Sequence, residues 1–471
     1  MATFVNSKES HSANASSLAR GVLSGGAQVI AVRTVAGVLT ILVHALLARL
    51  LTPAQLGTYF LALTVATACA TLVQFGMPQT LTRTIARALA IGDEGSVRPR
   101  IVAAFTVVAG VGLPVALLLW SALAFGAASS LFNAVELTAL AQLVAVWALL
   151  LAFQSTLSDA FRGFRDFALA SMAGGLIHGP LTLVVAATVL GGALLADLEM
   201  SLRGVVAAFV GAVCINLSIL GVVFLRRFVC LPSGAPINLG HLTRALHDGA
   251  PLAVNSFALY MGTSAALWVL GVFEPESAVA EYGVALRLVL LASLASKLSA
   301  SVLSPFMAKL QSTGDIAKLQ GVVTGAASTV GGGTIVMLVV LAVFGESVLS
   351  WIYTSAYSAA WPILLILVLG EIVRAWFGPA MLLLIMSDRA RQVARVTGAV
   401  TTMVVLMSVV LVHLVGAVGV AAAATAGVVM QSVTFWYIAR RDLGVATQVK
   451  PRWLVELIGD PARLRRVFSP H

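Results

Sequence analysis

Charged residues are scarce in this sequence: Asp, Glu, Lys and Arg make up 10% of 471 residues, against about 25% in soluble domains. A water-soluble fold of this size would lack the polar surface to cover it, which excludes the soluble enzyme and regulator classes. Cysteine is rarer still. Cys69, Cys214 and Cys230 stand in or beside apolar stretches with no paired spacing, so neither a disulfide framework nor a zinc site is expected. Acid is short as well, 19 residues against 29 basic ones, for a net charge of +10. Such an excess can mark a nucleic-acid binder. Here the basic residues punctuate apolar runs instead of gathering in a polar domain, so no nucleic-acid partner is expected. The histidines are scattered; His241 and His247, at i and i+6, do not share a helix face as metal ligands would. No Walker A segment or Rossmann glycine pattern occurs, and no cofactor is expected. The chain reads as a transporter rather than an enzyme. Its first 20 residues are polar and without an apolar core, so no cleavable signal peptide is expected before the first span.

Apolar sequence is what the chain has: 59% hydrophobic residues and a mean hydropathy of +1.00. A helix crosses the hydrocarbon core with about 20 apolar residues. Twelve such runs are present, at 22–47, 54–76, 101–125, 134–158, 167–190, 204–225, 249–272, 278–306, 321–345, 358–386, 392–414 and 417–438. They are continuous rather than alternating, which excludes a β-barrel and predicts an all-α polytopic membrane protein. A Val415-Gly416 turn separates the last two and predicts a helical hairpin.

Basic residues in the connections test that count, because they collect on the cytoplasmic side. The N-terminal tail and every second connection carry Lys8 and Arg20, Arg83, Arg87, Arg98 and Arg100, Arg162 and Arg165, Arg226, Arg227 and Arg244, Lys309 and Lys318, and Arg389, Arg391 and Arg395. The C-terminal tail, 439–471, adds seven more, from Arg440 to Arg466. The opposite loops hold only Arg49 and Arg203, with Asp197, Glu199, Glu274, Glu276 and Glu346 as acid. Both termini are therefore expected in the cytoplasm, at a bacterial inner membrane. The reading divides the chain into a tail (1–21), an N-lobe of six spans (22–225), a cytoplasmic linker (226–248), a C-lobe of six spans (249–438) and the basic tail. A weak repeat supports two lobes: LGTYFLALTVA (56–66) can be laid on VAEYGVALRLV (279–289), matching Tyr59 to Tyr282. Two repeated lobes around a midplane site is a common transporter plan. In the tail, apolar and basic residues mix over 450–468, as in a short helix lying on an anionic leaflet.

Four basic residues fall inside spans: Arg33, Arg287, Lys297 and Arg374. Each costs about 2.5–3.5 kcal/mol at a helix centre, so they imply a hydrated cavity or internal partners. Lys297 is nearest a helix end. The intramembrane carboxylate is Glu371, three residues before Arg374 and on the same helix face. That spacing predicts an ion pair, either a structural lock or a protonatable group coupled to transport. Arg33 and Arg287 have no acid at helical spacing, which points to an anionic substrate as counter-ion. Arginine suits phosphate, because its planar fork stays charged and donates in pairs.

Four stretches resemble bacterial polysaccharide flippases, the Wzx-type branch of the multidrug/oligosaccharidyl-lipid/polysaccharide exporter superfamily. They are ARLLTPAQLGTYFLALTVATACATLVQFGMPQTLTRTIA (48–86), DAFRGFRDFALAS (159–171), AEYGVALRLVLLASLASKLSASVLSPFMAKLQSTGD (280–315) and FGESVLSWIYTSAYSAAWPILLILVLGEIVRAWFGPAMLLLIMSDRARQVAR (344–395). The resemblance implies two six-helix lobes enclosing a cavity open to each side in turn. It implies an undecaprenyl-pyrophosphate-linked oligosaccharide as substrate, flipped to the periplasmic leaflet for cell-surface polysaccharide such as lipopolysaccharide or exopolysaccharide. Membrane lipids, a polysaccharide polymerase and chain-length proteins are the implied partners. Related lipid II flippases use cationic residues on spans one and eight, which carries substrate binding onto Arg33 and Arg287, with Arg374 and Lys297 assisting and Glu371 for ion coupling. Those flippases have two further spans that this sequence lacks. The rival reading is a drug or metabolite antiporter of the same superfamily, whose cationic substrates would favour a cavity dominated by carboxylates.

Overall fold

A computed structural model describes residues 31–450 apart from 127–129, 133, 175–178, 233–238, 297–302, 304–306, 308–309, 311–315 and 388. The order is α1 (Ala31–Leu50), α2 (Pro53–Val73), α3 (Met77–Ala90), α4 (Val97–Ala124), α5 (Val135–Ala139), α6 (Ala141–Gly163), α7 (Phe167–Ala173), α8 (Pro180–Leu195) and α9 (Leu202–Val229). After it come α10 (Leu239–Phe273), α11 (Glu276–Ala292), α12 (Ile316–Ala326), α13 (Gly332–Ile352), α14 (Trp361–Phe377), α15 (Ala380–Met386) and α16 (Ala390–Leu443). A π turn, Ala327–Gly331, joins α12 to α13 without a break. No strand occurs among the described residues.

Nine elements of the described residues are long and apolar enough to cross a membrane. One of them, α16, is two helices meeting at Gly416 (φ 62°, ψ −140°), at the turn expected there. With the shorter apolar α8 and with α11, the twelve expected crossings are accounted for. Several bounds differ from the sequence reading. The fifth crossing is broken: α7 ends at Gly174 and α8 starts at Pro180, where a proline without an N–H suits a first helical turn. The connection after the second crossing is itself helical, as α3. Into the linker expected at 226–248, α9 runs on to Val229 and α10 begins at Leu239. The N-terminal tail, Lys297 and, but for Lys450, the surface helix expected over 450–468 lie outside the described residues.

The central helix is α2. Thr52 caps it by accepting the Gln55 N–H (3.3 Å) while the Gln55 side chain accepts the Thr52 N–H (3.2 Å), and Pro53 fills the first turn. This capping box satisfies two N–H groups that a helix start leaves open. Apolar on all sides, α2 is buried on all sides. Tyr59 packs with Phe209 (5.3 Å between centroids) and Trp147 (6.1 Å), tying α2 to α9 and α6.

Across the molecule α2 crosses α11, and the alignment of Tyr59 with Tyr282 lays Pro53 on Glu276. These are the first residues of the two helices. The same alignment lays Phe60 on Gly283, and those two residues touch at the crossing. A Cβ on Gly283 would stand 2.2 Å from Phe60 Cδ2, and one on Gly57 would stand 1.8 Å from the Glu276 carbonyl oxygen. Contact between matched positions is what a local two-fold axis produces.

Arg49 closes the end of the bundle that carries Glu274, Glu276 and Glu346, hereafter the acidic end. Its guanidinium donates to the carbonyls of Ile352 (2.6 Å) and Trp351 (3.1 Å), at the C-terminus of α13. Those carbonyls have no partner in their own last turn. The opposite, basic end carries Arg83, Arg87, Arg162 and Arg226. There the Gln79 amide donates to Ser256 Oγ (3.0 Å), joining α3 to α10.

Candidate functional site

The crossing of α2 and α11 places Arg287. Arg287 lies on α11 and is half-buried. Its guanidinium stacks on the Phe60 ring of α2, 3.8 Å from Cζ to the centroid. One nitrogen, Nη1, donates to the Gly283 carbonyl a turn away (3.0 Å). Because Gly283 has no side chain, the ring can lie against α11 where the guanidinium reaches it. A stacked cation of this kind is stabilised by about 0.5–2 kcal/mol. No carboxylate pairs with Arg287 among the described residues. Its electrostatic neighbours are the phenols of Tyr59, Tyr260 and Tyr353. Tyr260 donates to the Thr64 carbonyl (2.9 Å), and Trp268 Nε1 donates to Thr64 Oγ1 (3.1 Å).

Arg33 sits elsewhere. It is exposed near the described start of α1, and its charged neighbour is Arg162, at the basic end. Gly37 of α1 stands level with Leu291 of the antiparallel α11 and with Leu294 just beyond its end. Arg33 is about one turn from that level towards the basic end and Arg287 about one to two turns towards the acidic end, a separation of about 12–16 Å along the axis. The two arginines are thus successive positions along the bundle rather than one clamp.

Glu371 and Arg374 form the ion pair expected from their spacing, at 2.9 Å on α14. The second carboxylate oxygen of Glu371 accepts from Ser293 Oγ (3.0 Å), which ties α14 to the end of α11. Glu371 is 9% exposed, while the Arg374 side chain keeps 43% of its surface. Nearer the basic end, Arg227 pairs with Asp166 (2.7 Å), and Arg162 pairs with Asp159. Lys297 is outside the described residues.

Sequence reasoning missed the aromatic surroundings of Arg287. Phe60, Tyr260 and Tyr353 stand in apolar runs where an aromatic residue reads as core. The available signal was the repeat itself, which aligns Arg287 with Thr64, the residue that holds Tyr260 and Trp268. Among the described residues no group of acidic, histidine or cysteine side chains is arranged to hold a metal ion.

Comparison with known proteins agrees with this architecture. An inward-facing multidrug resistance MATE family transporter of the MOP superfamily superposes with a TM-score of 0.68 at 15% identity, covering 87% of this chain and 94% of its own. The outward-facing structure of such a transporter gives 0.60 at 15% identity, over 90% and 95%. A MOP superfamily transporter from Pyrococcus furiosus, reported with a binding pocket of reverse polarity, gives 0.61 at 14% identity, over 90% and 95%. No curated protein matches the chain. The profile of the polysaccharide biosynthesis protein family matches residues 22–311, more than half of the chain. With that match over more than half of its length, the chain belongs to the polysaccharide biosynthesis protein family, and it is a multi-pass membrane protein that shares the fold of the MATE transporters of the MOP superfamily.

Proposed function

We propose that the protein flips an undecaprenyl-pyrophosphate-linked oligosaccharide from the cytoplasmic to the periplasmic leaflet of a bacterial inner membrane by alternating access. The observation that carries this reading is Arg287: an arginine inside the membrane, half-buried, with an aromatic ring and a carbonyl for company and no carboxylate among the described residues. A cation kept in that state needs an anion to complete it, and a pyrophosphate is matched by the guanidinium fork.

On this reading the basic end faces the cytoplasm and the acidic end the periplasm, following the distribution of basic residues. Arg33, exposed towards the basic end, meets the headgroup first, and Arg287 holds it deeper, with Arg374 and Lys297 assisting. Contacts join the two halves at both ends, Arg49 and Gly57 at the acidic end and Gln79 at the basic end, and alternating access would open each set in turn. Glu371 serves ion coupling: protonation would release Arg374 to the substrate. The oligosaccharide rides in the hydrated interior and the polyprenyl tail in lipid. The flipped product meets the polymerase and chain-length proteins on the outer leaflet.

Following lipid-linked intermediates on each face of the membrane tests the reading. Deleting the gene should pile up complete oligosaccharide on the cytoplasmic leaflet, and Arg287→Ala should do the same while inserting normally. Normal export in a deletion strain without a redundant flippase would sink the reading and favour the antiporter. Arg287→Ala with full export would remove only the role of that residue. In the same assay Glu371→Gln should export at a rate independent of external pH; an unchanged pH dependence removes Glu371 from coupling.

A further inference from the structure

Around Arg287 the hydrogen-bonding groups do not balance. Tyr59 and Tyr353 are each 0% exposed, and among the described residues neither hydroxyl has a hydrogen-bond partner. Both phenols are electrostatic neighbours of the guanidinium. Neither serves it as an acceptor: the hydrogen bond of Arg287 goes to Gly283, and one face is taken by Phe60. A guanidinium has donors only, and a phenol donates most readily to a charged oxygen. Among the described residues the cluster therefore keeps two phenol O–H groups and the remaining guanidinium N–H groups that no hydrogen bond uses.

Leaving a buried hydroxyl without a partner destabilises a fold, and native proteins rarely keep one without a use for it. Here two lie within electrostatic reach of one cation, and they come from opposite halves of the chain. Tyr59 is on α2; Tyr353 follows α13, directly after the Ile352 carbonyl that receives Arg49. Tyr260 is not part of the imbalance, since its hydroxyl already donates to Thr64.

Resting on the headgroup role given above to Arg287, we propose that the Tyr59 and Tyr353 hydroxyls are ligand donors that complete an oxyanion site with it, accepting a phosphoryl headgroup between the two halves. A phosphoryl group supplies several charged acceptor oxygens, which the phenols and the guanidinium can all donate to at once. Two neutral donors add hydrogen bonds without adding a second full charge, so the anion is recognised and still released. The repeat gives the site only one cation, because the position matching Arg287 on α2 is Thr64.

Binding to the purified full-length protein in nanodiscs tests this with three probes: a polyprenyl pyrophosphate, the corresponding polyprenol and inorganic pyrophosphate. Tyr59→Phe and Tyr353→Phe should each weaken the lipid pyrophosphate about tenfold, as expected for a charge-assisted hydrogen bond. Their unfolding temperatures should stay level or rise, since each removes an unpaired hydroxyl. Affinity for the polyprenol should be weak and equal in all variants. Phe variants that bind like wild type while Arg287→Ala loses the lipid would overturn the phenol donors and leave the flippase reading standing. Inorganic pyrophosphate bound as tightly as the lipid form, with the same dependence on both tyrosines, would uphold the donor site and assign it to a soluble anion, removing the lipid substrate. A wild-type protein that binds neither pyrophosphate would overturn both.

Discussion

Gly283 carries no side chain where α11 meets the Phe60 ring, and Arg287 reaches its aromatic partner only because of that gap. A methyl group there cannot be absorbed by a flexible chain end, since the obstructing atom belongs to a ring held by Tyr59 and His44. Gly283→Ala should therefore cost about 1–3 kcal/mol by overpacking, read as a lowered unfolding temperature in detergent. Adding Phe60→Leu should recover part of the loss; no recovery would place the strain elsewhere than this crossing. At this scale the sequence was legible for charge and for partners one helical turn away, and silent on partners from other helices. Arg33, Arg287 and Arg374 were visible as costly residues, and the three-residue spacing of Glu371 and Arg374 was enough to foresee their pairing. Phe60 and Tyr353 were not, because α2 and α13 are brought to Arg287 only by the tertiary fold, and a buried aromatic residue in an apolar run carries no local mark.

At the scale of elements, α13 ends with open carbonyls and borrows its cap from another helix: Arg49 of α1 donates to Trp351 and Ile352. The same arginine broke the charge asymmetry of the sequence, standing with Arg203 on the side otherwise short of basic residues. Its position there is explained by capping. Positive charge at a helix C-terminus adds about 0.3–1 kcal/mol, more when partly buried, so Arg49→Gln should loosen the closure of the acidic end. Single cysteines introduced at that end beside α13 should then react faster with a membrane-impermeant maleimide; unchanged rates would show that Gly57 and the α2–α11 crossing suffice for closure. Crossings were legible here because a long apolar run has one use in a membrane. Breaks were less so. Gly174 and Pro180 divide the fifth crossing, yet glycine and proline are common enough in such helices that neither marks a break by itself. The helix α3 was read as a loop because its polar and apolar residues average out.

For the whole molecule, the lobes meet where equivalent residues face each other, Phe60 on Gly283, and this explains why a faint repeat in sequence corresponds to helices that start in register. On the proposed path the two arginines are set apart along the bundle by about 14 Å, and this spacing has an electrical consequence. About 30 Å of hydrocarbon carries the membrane potential, so a headgroup passing from Arg33 to Arg287 would traverse roughly half of it. A full crossing is worth about 2.3 kcal/mol per charge at 100 mV, so this step would be worth about 1 kcal/mol per negative charge. In the proposed orientation, with the basic end in the cytoplasm, a resting potential negative inside pushes an anion in the direction of export. In proteoliposomes oriented with the basic end inward, a potassium diffusion potential negative inside should speed flipping, and reversing its sign should slow it. A rate indifferent to voltage would mean that the headgroup crosses with its charge cancelled. On this view the inside-negative potential works as a battery for export, and the spacing of the two arginines sets how much of its voltage this step taps.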